Sequence, residues 1–274
     1  MYVSELFDLH GRTALVTGGS GVLGSVMARG LAQAGARVAI LGRREEPVLA
    51  VAATIRAAGG EAMGVAADVL DRSALEKANE TITAALGPVD ILINGAGGNQ
   101  PQATTGPDRP FHQLELMAIR QVFDANVTGA IVCSQVFGRV MAKRRQGCII
   151  NIASMAGIRP LTHVVIYSTA KAALTNFTQW LAVHMAQEYS PAIRVNAIAP
   201  GFFLTEQNRF LLLDSQSGAW TDRGSAIVKH TPMGRLGEPE DLIGILIWLA
   251  SPASTFVTGA VIPVDGGFAS FSGV

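Results

Sequence analysis

Two residues four apart, Tyr167 and Lys171 in the run "YSTAK", bring a phenol and an ammonium to one face of a helix. A free phenol titrates near 10 and is a poor acid or base at neutral pH. An ammonium ~4 Å away, at an effective dielectric of ~20, favours the phenolate by roughly 4 kcal/mol, or about three pKa units. Such a pair exchanges protons near neutrality. The plain alternative is a Tyr and a Lys on a solvated helix face. A second stretch with chemical content is "TGGSGVLG", Thr17 to Gly24, directly behind the apolar residues Ala14, Leu15 and Val16. A glycine-rich turn between strand and helix points backbone N–H groups and the positive helix end at a phosphate. Glycines also make ordinary tight turns, so this motif alone leaves the choice open.

These groups need elements to position them, and the chain alternates strand and helix signals. "TALV" precedes the glycine turn, and residues 22–34 follow at helical spacing until Gly35. "RVAIL" reads as a second strand and "EPVLAVAATIRAAGG" as a second helix. "AMGVAADV", "VDILINGAG", "CIINIAS", "IRVNAIAP" and "AVIPVDGG" read as five more strands, with "SALEKANETITAAL" a helix between the third and fourth. Strands separated by helices predict an α/β fold: a doubly wound parallel sheet of about seven strands with helices on both faces, in one domain over residues 1–274. Two polar or mixed stretches interrupt the rhythm, residues 97–112 and 202–232. Both follow strand carboxyl ends, where open α/β sheets bind ligands, and both are expected to contact substrate.

Composition narrows the function classes. Of 274 residues 49% are hydrophobic and 15% charged, which predicts a large core and buried subunit faces. The helices expected at 127–143 and 169–187 are apolar around most of their circumference and are the predicted dimer faces. "EPEDL", with Pro239 suited to a first turn, opens a helix that with the last strand is expected to form a second contact. Lys plus Arg equals Asp plus Glu at 21 each, so no net field favours nucleic acid or an anionic membrane. Cys133 and Cys148 lack metal-ligand spacing and read as core thiols of a reducing compartment, with no metal expected. The start "MYVSELFDLH" has no basic segment before an apolar one, and the apolar run at 242–250 is too short to span a bilayer. A cytoplasmic location is expected.

The glycine turn, "ADV" at 67–69, "NGAG" at 94–97, Ser154 in "NIASMAG", "YSTAK" and "APG" at 199–201 together resemble the short-chain dehydrogenase/reductase family over essentially the whole chain. The resemblance implies a Rossmann-type sheet and a nicotinamide-dependent enzyme interconverting a secondary alcohol and a ketone. It makes Tyr167 the acid in reduction and the base in oxidation. Ser154 would polarise the substrate carbonyl as an oxyanion donor. Lys171 would also bond the nicotinamide ribose. Asn126, in "ANVTG", matches the family's Asn that breaks a helix and holds a relay water; the bland reading is an Asn bonded to its own helix.

For the cofactor, the same resemblance gives Gly18, Ser20, Gly21, Val22, Leu23 and Gly24 the pyrophosphate. Gly21 stands one place before the family's middle glycine, whose position Val22 takes. Asp68 and Val69 would contact adenine, Asn94, Gly95 and Ala96 would pack on the adenosine side, and Pro200, Gly201 and Thr205 would border the nicotinamide. Gly42 ends the second strand where an acid would grip both ribose hydroxyls, and Arg43 follows. A guanidinium there pairs with a 2′-phosphate, so NADP(H) is expected, with NAD(H) as the alternative; Arg43 and Arg44 could equally be solvated beside Glu45 and Glu46.

"INGAGGNQPQATT", "FTQWLAVH", "APGFFLTEQNR" and "HTPMGRLG" are similar to the subgroup described as D-mannonate oxidoreductases, or fructuronate reductases. This implies a sugar-acid substrate, D-mannonate and D-fructuronate, and commonly a homotetramer. A hexuronate needs a cation for its carboxylate and polar groups for its hydroxyls. Asn99, His163, Gln207, Asn208 and Arg209 are available, with Arg209 the expected clamp. Ala156 replaces a polar residue expected in close kin. The rivals are a reductase of another polar carbonyl, such as a ketogluconate, another ketose or a 3-ketoacyl thioester, and a non-catalytic NADP-sensing protein.

Overall fold

The computed structural model describes residues 2–204, 209, 212–215 and 217–273. Seven strands form one parallel sheet: β1 (Thr13–Thr17), β2 (Arg37–Gly42), β3 (Ala62–Ala66), β4 (Ile91–Asn94), β5 (Gly147–Ile152), β6 (Ile193–Pro200) and β7 (Val261–Val264). Their order is β3-β2-β1-β4-β5-β6-β7. The chain reverses its direction of travel between β1 and β4, which opens a crevice at the carboxyl ends. Register keeps those ends level, with Thr17 beside both Leu41 and Asn94, and Asn94 beside Asn151.

The central strands are almost continuously apolar because both faces are covered. Along β1, Ala14 and Val16 join a core with Met27, Leu31, Ile40, Ile93, Ile150 and Leu246. Leu15 points the other way, into a core with Leu75, Ile82, Leu92, Phe137, Ile149 and Val195. A short helix, α1 (Val3–Leu6), precedes β1; the first core is roofed by α2 (Val22–Gln33) and α3 (Glu45–Ala57), the second by α4 (Arg72–Leu86), α6 (Gly129–Arg144) and α7 (Val165–His184). Asp71 caps α4 by accepting from the Ala74 N–H at 3.0 Å.

Several boundaries differ from the sequence expectation. Gly95 to Gly97 and Ser154 lie beyond β4 and β5, and Asp68 and Val69 beyond β3. The helix expected at 127–143 starts much earlier, as α5 (Leu116–Phe123), and passes through a π-helical turn, Asp124–Thr128, into α6. Leu116–Arg144 is thus one helical run of 29 residues, with mean hydropathy of 1.2 in its most apolar window. It is long and apolar enough to cross a membrane, but it packs on α4, α7 and β5 as a core helix of this domain. The next long helix begins at Val165 rather than residue 169, which places Tyr167 in its first turn. "EPEDL" forms a 3-10 turn, Pro239–Leu242, leading into the helix Ile243–Ala250. Within 202–232 the helix Asp222–His230 is capped by Thr221, which accepts from the Gly224 N–H at 3.1 Å.

Candidate active site

The glycine turn is built for close approach. Gly18 has φ +65°, and a Cβ there would lie 2.8 Å from Ala96 Cα; a Cβ on Gly24 would lie 2.3 Å from the Gly18 carbonyl oxygen. Glycine is required at both. The shift of glycine from position 22 to 21 leaves the turn intact, since Gly21 N–H donates to the Gly18 carbonyl at 3.0 Å and Gly21 precedes α2 as its N-cap. The first turn of α2, at Val22, Leu23 and Gly24, presents N–H groups without helical acceptors, a cradle for an anion. Thr17 ties this turn to the next strand. Its Oγ1 accepts from the Gly95 and Ala96 N–H groups at 3.1 and 3.2 Å. The sequence reading quoted Thr17 without assigning it this task, although a Thr ending a buried strand is a polar group that must find partners.

At the end of β2, Gly42 adjoins Ser20 Oγ, 3.2 Å from where its Cβ would stand. Arg43 is exposed and pairs with no carboxylate among the described residues. No acid therefore occupies the place that would repel a 2′-phosphate. Asp68 uses one oxygen to accept from the Leu70 N–H at 3.0 Å, and Val69 packs against Gly129.

The Asn94 side chain turns inward, donating to Asn151 at 2.8 Å and Ser134 at 3.1 Å, so it staples β4 to β5 and α6. A buried amide takes the partners that desolvation makes most valuable. Gly95 and Ala96, half-buried, follow it toward the rim.

Ser154 and Tyr167 come together, the Ser154 hydroxyl lying where it favours the ionised phenol. Ser154 also accepts from the Ala156 N–H at 3.1 Å, which fixes its rotamer. Lys171, 5% exposed, lies one turn below Tyr167 with Nζ 5.6 Å from the phenol ring centre. It donates to the Ile152 carbonyl at 2.7 Å, the one hydrogen bond of its three donors among the described residues. A Cβ on Gly97 would stand 3.5 Å from Nζ, so the remaining donors face the rim. An ammonium left short of acceptors at a glycine-rich rim fits ribose hydroxyls.

The electrostatics reverse the sequence argument. Burial pushes the Tyr167 phenol above its ordinary value, against a smaller opposing effect of the Ser154 hydroxyl. Burial also lowers Lys171, to about 8. Desolvation acts on both partners and outweighs the attraction that the spacing suggested. The result is a neutral phenol, the form that donates a proton.

Asn126 sits in the π-helical turn, fully buried. Its Nδ2 donates to Val122 O at 2.8 Å and Gly98 O at 2.7 Å, and its Oδ1 accepts from Gly98 N–H at 3.1 Å. It clamps the start of the 97–112 segment beside Lys171. The opposite side of that segment is tied by Thr105, whose N–H donates to the His163 carbonyl at 2.9 Å. His163 holds φ +69°, a left-handed conformation that costs a non-glycine residue energy. Asn99 is exposed and bonds Thr104 inside its own segment. Pro200 ends β6 and Gly201 follows it, its N–H donating to the Val264 carbonyl at 2.9 Å. Arg209 is exposed. Thr205, Gln207 and Asn208 lie outside the described residues.

Residues 12–215 match the family described as short chain dehydrogenase. The chain belongs to the short-chain dehydrogenase family. An "uncharacterized oxidoreductase" of Bacillus subtilis strain 168 is 52% identical to it over 97% of this chain and 98% of the relative. Gluconate 5-dehydrogenase of Gluconobacter oxydans strain 621H is 34% identical over 96% of each. Among solved structures, a Haemophilus influenzae protein provisionally described as a D-mannonate oxidoreductase, with bound NAD, aligns at TM-score 0.92 and 41% identity over 100% of both chains. Gluconate 5-dehydrogenase of Burkholderia cenocepacia J2315, in complex with NADP and tartrate, aligns at 0.88 and 33% identity over 98% of this chain and 99% of that one. As a member of this family the protein is an oxidoreductase acting on CH–OH groups and the carbonyls formed from them.

Proposed function

We propose that this dehydrogenase interconverts a 5-keto sugar acid and its alcohol, D-fructuronate and D-mannonate, with NADP(H) as its cofactor. The observation that carries the chemistry is the Ser154–Tyr167 hydroxyl pair standing over a buried Lys171. The glycine turn would hold the pyrophosphate, Arg43 the 2′-phosphate, Lys171 the ribose, and Pro200 and Gly201 the nicotinamide face. A nicotinamide bound there supplies the hydride in reduction. Tyr167, held neutral by burial, gives its proton to the ketone oxygen, and Ser154 donates to the same oxygen. The Lys171 ammonium then favours the phenolate left behind. Asn126 fixes the Gly98 backbone beside Lys171 and is placed to hold a water that returns the proton.

The substrate reading leans on kinship. D-fructuronate and 5-keto-D-gluconate share one constitution and differ only in configuration at the carbon beside the carboxylate. Relatives named for mannonate and for gluconate therefore need the same reacting end. The ketogluconate is the second reading, and the acid-free end of β2 favours NADP(H) for either. One domain suffices for both halves of the site. The outer face of α7 leaves Trp180 59% and Val183 56% exposed, a surface suited to pairing subunits in a homotetramer.

The test is cofactor absorbance with D-fructuronate, supplying NADPH and NADH in parallel. Rapid oxidation of NADPH supports the whole reading, and faster NADH oxidation rejects the cofactor preference. Activity confined to 5-keto-D-gluconate selects the second reading. Cofactor binding without turnover on any carbonyl points to the sensing protein. Light scattering that gives a monomer rejects the assembly.

A further inference from the structure

A sugar acid bound through its ketone at Tyr167 leaves a carboxylate at the other end of its carbon chain. Between Ser154 and Tyr167 the chain makes an excursion, and residues 159–162 of it form one wall of a 420 Å³ cleft. The other walls are His230, which ends the helix Asp222–His230, and the carboxyl-terminal residues 268–272. One lining ring, Phe268, reaches the chain just past β6. Phe202, directly after Gly201, packs edge-on against Phe268 with ring centres 5.1 Å apart. His230 in turn packs against Phe268 at 4.7 Å and Phe271 at 5.2 Å.

The lining has one sign of charge. It holds the Arg159 guanidinium, the His230 imidazole and the hydroxyls of Thr162, Ser270 and Ser272, and no carboxylate among the described residues. Arg159 makes no ion pair among the described residues. Its Nε donates to the Ala269 carbonyl at 3.1 Å, which anchors the guanidinium and leaves its two terminal amino groups for another acceptor. An anchored guanidinium with that edge open is the group that grips a carboxylate by two parallel bonds.

We propose that this cleft receives the carboxylate of the substrate, with Arg159 as its ligand and His230 at its rim. The proposal rests on the sugar-acid reading above. It also assigns a role to the carboxyl-terminal residues, which close the cleft because Arg159 holds them. The carbon that distinguishes D-mannonate from D-gluconate would then lie beside Thr162 and His230, so this cleft chooses between the two acids.

The test compares wild type with Arg159→Gln, Arg159→Lys and Arg209→Gln, each saturated with NADP⁺. Calorimetry reads D-mannonate binding, and kinetics with NADPH read D-fructuronate against D-fructose, the same carbon chain without the carboxylate. Arg159→Gln is expected to weaken D-mannonate and raise KM for D-fructuronate by about tenfold to a hundredfold, the value of a charge-assisted bond. Any rate on D-fructose should stay unchanged, and Arg159→Lys should regain part of the loss, which excludes simple misfolding. Unchanged acid binding in Arg159→Gln, or a loss found in Arg209→Gln instead, overturns the clamp and leaves the function standing. D-mannonate binding that depends on Arg159 in an enzyme that does not turn over D-fructuronate supports the clamp and rejects the substrate. A wild type that binds no sugar acid overturns both.

Discussion

Replacing Lys171 with Met should stabilise the cofactor-free protein at neutral pH, and the gain should fade as the solution is made alkaline. Burial lowers the Lys171 pKa from 10.5 to about 8. The difference, 10.5 − 8, is about 2.5 units, which at ~1.36 kcal/mol per unit costs the folded state roughly 3 kcal/mol whenever the amine is charged. Below pH 8 both folded and unfolded chains carry the proton and the whole cost stands. Between about 8 and 10.5 the unfolded lysine keeps a proton that the folded one has lost, so wild-type stability from this group rises with pH. Met does not titrate, so the advantage of the variant should shrink by roughly 3 kcal/mol across that window. Only the difference between the two proteins is informative. Cys133, with its thiol pushed up to about 12, keeps its proton when the unfolded thiol has lost it, and so destabilises both proteins alike above pH 9. Urea unfolding at pH 7, 8.5 and 9.5 measures the gap. A gap that stays constant would refute the argument that Lys171 carries an uncompensated charge.

Tyr167→Phe should lower turnover by about a hundredfold to ten-thousandfold while NADPH still binds by fluorescence titration; retained turnover removes Tyr167 as the proton donor. Arg43→Ala should raise KM for NADPH by about tenfold or more and leave KM for NADH unchanged, whereas equal effects exclude a 2′-phosphate contact. Gly24→Ala places a methyl 2.3 Å from the Gly18 carbonyl oxygen, so the turn must open. The expected cost is about 1–3 kcal/mol in urea unfolding together with weaker cofactor binding, and an unchanged midpoint would show that the turn yields freely.

The alternation of strands and helices was legible because both sheet faces are covered at the central strands, which read as nearly continuous apolar runs. That Tyr167 and Lys171 share one helix face was legible because local spacing sets it, whereas Ser154 was named through the family resemblance. Burial was not. The expected depression of the Tyr167 phenol assumed a solvated pair, and only the packed structure shows desolvation prevailing over attraction. The inward turn of Asn94 depends on Asn151 and Ser134, partners from β5 and α6 that no local pattern brings together. The early start of α5 had a signal in the helical spacing of Leu116, Ile119 and Phe123, masked by the glycine- and proline-rich run before it. Arg159 escaped notice because its meaning lies in a neighbour 110 positions away, the Ala269 carbonyl.

Ser154, Tyr167 and Lys171 keep their places at the two ends of the passage from β5 into α7, while the proposed recognition surfaces come from the exposed middle of that passage at 159–162, from residues 97–112, from His230 and from residues 268–272. Heredity can therefore edit recognition and reactivity separately. A lineage that moves from one sugar acid to another rewrites the bordering segments and keeps the proton donor at its old spacing, so intermediate forms remain working enzymes while their diet changes.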